Sequence, residues 1–133
     1  MMIDNIREFV KICNSDTPED RKRIKTDIIS EDVLFDALKH FPELTLFVIQ
    51  SNSVTLKILE TLSKNPDSDI RWWVATKRKL SPELIEILST DEDESVRQRI
   101  AHNAKTSKSI LTILAQDNST IVAKVAQDRL LKK

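Results

Sequence analysis

Apolar positions recur along the chain with a period longer than any single helix. Between residues 70 and 95 they fall at Ile70, Val74 and Ala75, and again at Leu84, Ile85 and Leu88. Each trio falls within one broad sector of an α-helix, because at 100° per residue its members span an arc of about 140° or less. The stretch between the trios is polar. This pattern predicts two short helices joined by a turn, the first from about residue 70 to Lys77. The second opens at Ser81-Pro82-Glu83, where a hydroxyl caps, a proline needs no N–H and an acid meets the positive helix end.

The whole pattern repeats. Ile70, Arg71, Val74 and Ala75 stand 26 residues before Val96, Arg97, Ile100 and Ala101. Ser81, Leu84, Ile85, Ile87 and Leu88 stand 26 before Ser107, Ile110, Leu111, Ile113 and Leu114. The same offset backwards reaches Leu44, Val48, Thr55 and Leu62, and a half-unit at Ser30, Val33, Leu34 and Ala37 matches Thr55, Ile58, Leu59 and Leu62. At the C-terminal end Ile121, Val125 and Ala126 repeat the start at an offset of 25. A helix pair of this size cannot bury its stripe alone, whereas stacked neighbours build a continuous core. The expected architecture is therefore all-α: a short right-handed α-solenoid of helix-pair repeats in one domain over 1–133. Repeats lie at about 30–43, 44–69, 70–95, 96–120 and 121–133, behind an N-terminal helical cap at 1–29. In that cap Ile3, Ile6, Phe9, Val10 and Cys13 form a helical stripe.

In this frame the residues Ile70, Arg71, Val74, Ala75, Ser81, Pro82, Leu84, Leu88 and Asp91 resemble the leucine-rich repeat variant, a helical family similar in shape to HEAT repeats. Val96, Arg97, Ile100, Ala101, Asn103, Thr106, Leu111, Leu114, Ala115 and Asp117 continue the likeness. It spans about 44–128. The units run a residue or two longer than the family's and lack its Asn-Pro after the first helix. The resemblance implies a binding scaffold without shared catalytic residues. The iron–sulfur segment of one family member has no counterpart in a chain with a single cysteine.

Composition narrows the chemistry. Glycine is absent, which removes Gly-rich phosphate loops and leaves helix ends to other residues. Asn52, Asn65 and Asn103 are placed to end helices in the left-handed conformation. Lys+Arg and Asp+Glu balance at 21 each, poor footing for a dedicated nucleic-acid binder. One cysteine, Cys13, allows neither an internal disulfide nor a thiolate metal cage, and reads as a small core residue. The start "MMIDNIREFV" has no signal-like apolar block, and no apolar run approaches a membrane span. The expectation is a cytoplasmic protein with no cofactor, no metal and no membrane partner.

Candidate chemistry is sparse. "DEDE" at 91–94 reads as a helix-capping turn with solvated charge, and Arg71 and Arg97 as structural partners of such loop acids. His40 and His102 have no second histidine at ligand spacing and no nucleophile by motif, so no enzyme is expected. Trp72 and Trp73 stand out in "DIRWWVATKRK". Their repeat columns read Leu46, Trp72, Gln98, Ala123 and Phe47, Trp73, Arg99, Lys124; columns that admit Gln, Arg or Lys reach solvent. Two readings stand side by side: Trp73 packing under the preceding repeat with Trp72 covering a gap, or an aromatic and basic surface for a partner. On the second, the binding residues are Trp72, Trp73, Leu46, Phe47, Arg99 and Lys124.

The function expected from this frame is a non-enzymatic protein-interaction module, in the manner of a small inhibitor or immunity protein. The alternative is a nucleic-acid-binding HEAT-like protein related to alkylpurine DNA glycosylases, with Arg71, Arg78, Arg97 and Arg99 on its basic face. Steep salt dependence would mark the alternative.

Overall fold

A computed structural model describes residues 2–132 and is predominantly helical. The chain divides into two compact units, one up to Leu59 and the other from Glu60. Local sequence chemistry starts the helices. Ser30, Thr55, Ser81 and Ser107 each accept, on the side-chain oxygen, the backbone N–H three residues onward, at Val33, Ile58, Leu84 and Ile110. Each oxygen satisfies an N–H that the helix itself cannot.

The first unit begins with a strand, β1 (Met2–Ile3), then α1 (Ile6–Cys13) and α2 (Pro18–Thr26). A second strand, β2 (Ile28–Ile29), pairs with β1 in parallel, Met2 opposite Ile28 and Ile3 opposite Ile29. Helices α3 (Glu31–His40) and α4 (Thr45–Gln50) follow, the latter after a 3-10 turn at Pro42–Leu44. The N-terminal stripe is therefore not purely helical. Ile3 leaves it for the strand pair, where Ile3 and Ile29 are buried while Met2 and Ile28 face solvent. Phe9 and Cys13 remain on the buried side of α1, with Ile12 beside them, and Ile6 and Val10 are half-buried. Helix α5 (Leu56–Leu62) carries the division between the units.

The second unit contains α6 (Ser68–Ala75), α7 (Pro82–Ser89), α8 (Glu94–His102), α9 (Lys108–Leu114) and α10 (Thr120–Lys132). Its core follows the predicted columns: Ile70, Val74 and Ala75 on α6, Val96, Ile100 and Ala101 on α8, all buried. Leu84, Ile85 and Leu88 on α7 and Leu111 and Leu114 on α9 close it from the other side. Ile87 and Ile113 occupy equivalent positions and are both exposed, so repetition of an apolar residue does not by itself mark the core.

Two sets of hydrogen bonds recur at the repeat spacing. Arg71 holds Asp91 through Nε at 2.8 Å and Nη2 at 3.2 Å, and its Nη1 donates to the Asn65 carbonyl at 2.8 Å. Arg97 holds Asp117 in the same way at 2.9 and 3.2 Å, and its Nη1 donates to the Asp91 carbonyl at 2.7 Å. The "DEDE" acids therefore diverge: Asp91 is a nearly buried clamp partner, Asp93 caps α8, and Glu92 and Glu94 are exposed. The second set ties the other ends of the same helices. Asn103 donates its carboxamide to the Ala75 and Lys77 carbonyls, and Arg129 donates to the Ala101 and Asn103 carbonyls.

These bonds correct two expectations. No described residue has a positive φ, so Asn52, Asn65 and Asn103 do not end helices in the left-handed conformation. Asn103 is extended, at φ −66° and ψ 129°, and its side chain supplies the bonds instead. The last helix also keeps the offset of 26, because Arg129 stands 26 after Asn103 and performs the same task. Val122 and Ala126 are fully buried in the positions of Val96 and Ile100, while Ile121 is 55% exposed.

Val122→Ala should cost about 2 kcal/mol in urea unfolding, the worth of two buried methyl-sized groups plus a residual cavity. Ile121→Ala should stay within about 0.5 kcal/mol, as exposed positions do; a reversed order would restore the offset of 25. Arg97→Ala should cost about 3 kcal/mol, because it leaves a nearly buried carboxylate without its counter-charge. Burial works to raise the Asp117 carboxyl, but the Arg97 guanidinium and the Ser119 N–H hold it below the usual carboxylate range. The linked stability is complete above the unfolded-state value of about 3.9 and is lost as pH falls from there through the lower folded value. Asp117→Asn should flatten that part of an acid titration followed by circular dichroism.

Candidate interaction surface

Helices α6 and α8 pack side by side and bring the candidate residues of the second unit together. On α6, Ile70, Val74 and Ala75 take the buried face, which turns Trp72 and Trp73 to its margin. Both rings are half-buried. They meet edge to face, with centroids 5.3 Å apart and planes at 87°, an arrangement aromatic quadrupoles favour. Each ring is therefore part packing and part surface.

Arg99, on the last turn of α8, lies with its guanidinium carbon 5.9 Å from the Trp72 ring centroid. That is within reach of a cation–π attraction. The repeat columns place Arg99 level with Trp73, and the fold brings it diagonally over Trp72 instead. Its Nε is buried without a hydrogen-bond partner, alone in this among the side-chain atoms of the described residues. The other arginines of the core of this unit are committed, Arg71 and Arg97 to aspartates and Arg129, on α10, to carbonyls. His102, one turn on from Arg99, is held below the ordinary histidine value by partial desolvation first, then by the charges of Arg99 and Arg129.

The remaining candidates are placed differently. Lys124 is exposed, and the corrected offset moves it from the column of Trp73 and Arg99 to that of Trp72 and Gln98. Leu46 and Phe47 belong to the first unit, on α4. Leu46 is 43% exposed, and Phe47 is half-buried against a cavity with Cys13 and Ile24. The Cys13 thiol is buried, which pushes its pKa up to about 12 and keeps it neutral. The roles of Asn103 and Arg129 escape sequence reasoning. Their spacing of 26 was available as a signal, since both side chains are donors of the right length for a neighbouring carbonyl.

No helix among the described residues is long and apolar enough to cross a membrane. Comparison with protein-family profiles, with curated proteins and with solved structures finds no match to this chain.

The geometry around Arg99 makes a spectroscopic prediction. In a proton NMR titration His102 should titrate below the ordinary 6.5, and Arg99→Ala should move it upward by removing one repelling charge. An unchanged His102 in that variant would separate the histidine from the cluster.

Proposed function

We propose that this chain is a non-enzymatic protein-interaction module, built as a short right-handed α-solenoid of the leucine-rich-repeat-variant or HEAT kind. It acts in the cytoplasm by covering a surface of one protein partner, as an immunity-type inhibitor does. The observation that carries this reading is the Trp72–Trp73–Arg99 cluster. It offers half-exposed aromatic area and a guanidinium whose buried Nε has no hydrogen-bond partner among the described residues. Trp and Arg dominate interface hot spots because both combine large contact area with directional polar bonding.

The nucleic-acid reading draws less support. Of its four arginines, Arg71 and Arg97 spend their guanidinium groups inside the fold, leaving Arg78 and Arg99. A phosphate backbone presents a charge every 1.7 Å or so along a duplex axis, and two free cations make a thin counterpart.

The test is capture of a partner protein from the native host, followed by affinity measurement at rising salt. Trp72→Ala should weaken the complex by about 2 kcal/mol or more with the helical circular dichroism spectrum intact. Raising salt from about 50 to 200 mM should change the affinity only modestly, against the thousandfold or greater loss of a phosphate-bound complex. Retention of nucleic acid with that steep loss, or indifference to Trp72→Ala, would reject the proposal.

A further inference from the structure

The first unit holds a cavity of about 560 Å³ that the proposed function does not use. That volume falls within the range of sites for small organic ligands, roughly 300–1,000 Å³. It opens where the end of α1, the following loop, α2 and α4 come together. Ile24, Cys13 and Phe47 give it an apolar part, beside the polar Ser15 and Gln50. The thiol adds to that apolar character, since burial keeps it protonated and uncharged.

The lining also carries charge. Arg21, Lys22 and Lys25 stand at i, i+1 and i+4 on α2, a spacing that puts all three on one side of the helix, and all three line the cavity. The one acid there is Asp16, whose exposed carboxylate lies 3.8 Å from Arg21. Lys22 and Lys25 form no ion pair with any described residue. In a chain of zero formal net charge, three cations against one acid at one opening is a local concentration of positive field.

We propose that this cavity binds an amphipathic organic anion, its acyl or aryl body against Phe47, Ile24 and Cys13 and its phosphate or carboxylate head among Arg21, Lys22 and Lys25. The two halves of the site need two halves of one molecule. A bare anion would leave the apolar part wet, and a neutral apolar molecule would leave the cations without a counter-charge.

Isothermal titration calorimetry with octyl phosphate below its micelle concentration tests this on the full chain. One molecule should bind per chain. Inorganic phosphate and octanol should each bind at least about tenfold more weakly, the loss of one half of the site's contacts. Decanoate binding as well as octyl phosphate would place the preference in charge rather than in phosphate, and still supports the site. The exposed double variant Lys22→Gln/Lys25→Gln, checked for fold by circular dichroism, should weaken octyl phosphate about tenfold or more. Trp72→Ala should leave it unchanged, which separates this site from the proposed interaction surface. No saturable binding, equal binding of inorganic phosphate, an unaffected double variant, or binding confined to phosphatidylglycerol vesicles would overturn the proposal.

Discussion

The second unit depends on one interaction made twice: an arginine near the start of a helix that grips an aspartate 20 residues onward and a loop carbonyl six residues back. Guanidinium geometry suits it, because two parallel N–H groups meet the carboxylate while the third nitrogen remains for the carbonyl. Each clamp therefore fixes two loops against one helix. Asp91 joins the series at both levels, its carboxylate held by Arg71 and its carbonyl by Arg97. Charges this secluded are costly to desolvate, and their full hydrogen bonding is what makes the arrangement tolerable. What such a pair contributes above all is register, since a slipped helix would leave ions buried and unpaired.

The second set of ties does the same for the far ends of α6 and α8 without charge pairing, by giving helix-terminal carbonyls a donor from Asn103 or Arg129. A glycine-free chain has no easy left-handed stop. Here the carbonyls left over at the helix end are satisfied from the next pair instead. With both ends of the helices fixed, the margin of α6 is free to carry side chains that the core does not need. Trp72 and Trp73 are those side chains, and Arg99 reaches them from α8.

Much of this was legible in the sequence because it repeats. Columns that never admit charge, such as Ile70 with Val96, are core, and hydroxyls three residues before an apolar pair are caps. Arg71 and Arg97 could be matched to loop acids for the same reason. The misreadings have physical causes. Ile121 and Val125 imitate the core pattern one residue early, and the offset is settled by the burial of Val122 and Ala126 and the carbonyl-binding task of Arg129. The strand pair at Met2–Ile3 and Ile28–Ile29 is too short to show a period of two. Backbone preference points Asn103 to the left-handed conformation, but its side-chain chemistry decides its role. At the candidate surface, aromatic content pointed to Trp72 and Trp73, but the diagonal approach of Arg99 depends on helix rotation that columns cannot express. The cavity beside Phe47 joins segments more than thirty residues apart and left no periodic trace.

The clamp also constrains how such a chain can change length over descent. Because each arginine answers to one loop before it and one after it, duplicating any whole 26-residue segment supplies a new clamp with both of its acceptors. Adding a fraction of a segment would instead present an arginine with the wrong loop, or an aspartate with none. Growth and loss in this unit are therefore quantised. Point substitution is free to rewrite outward positions such as 98 and 124, while the spacing that links 71 to 91 and 97 to 117 is held by electrostatics.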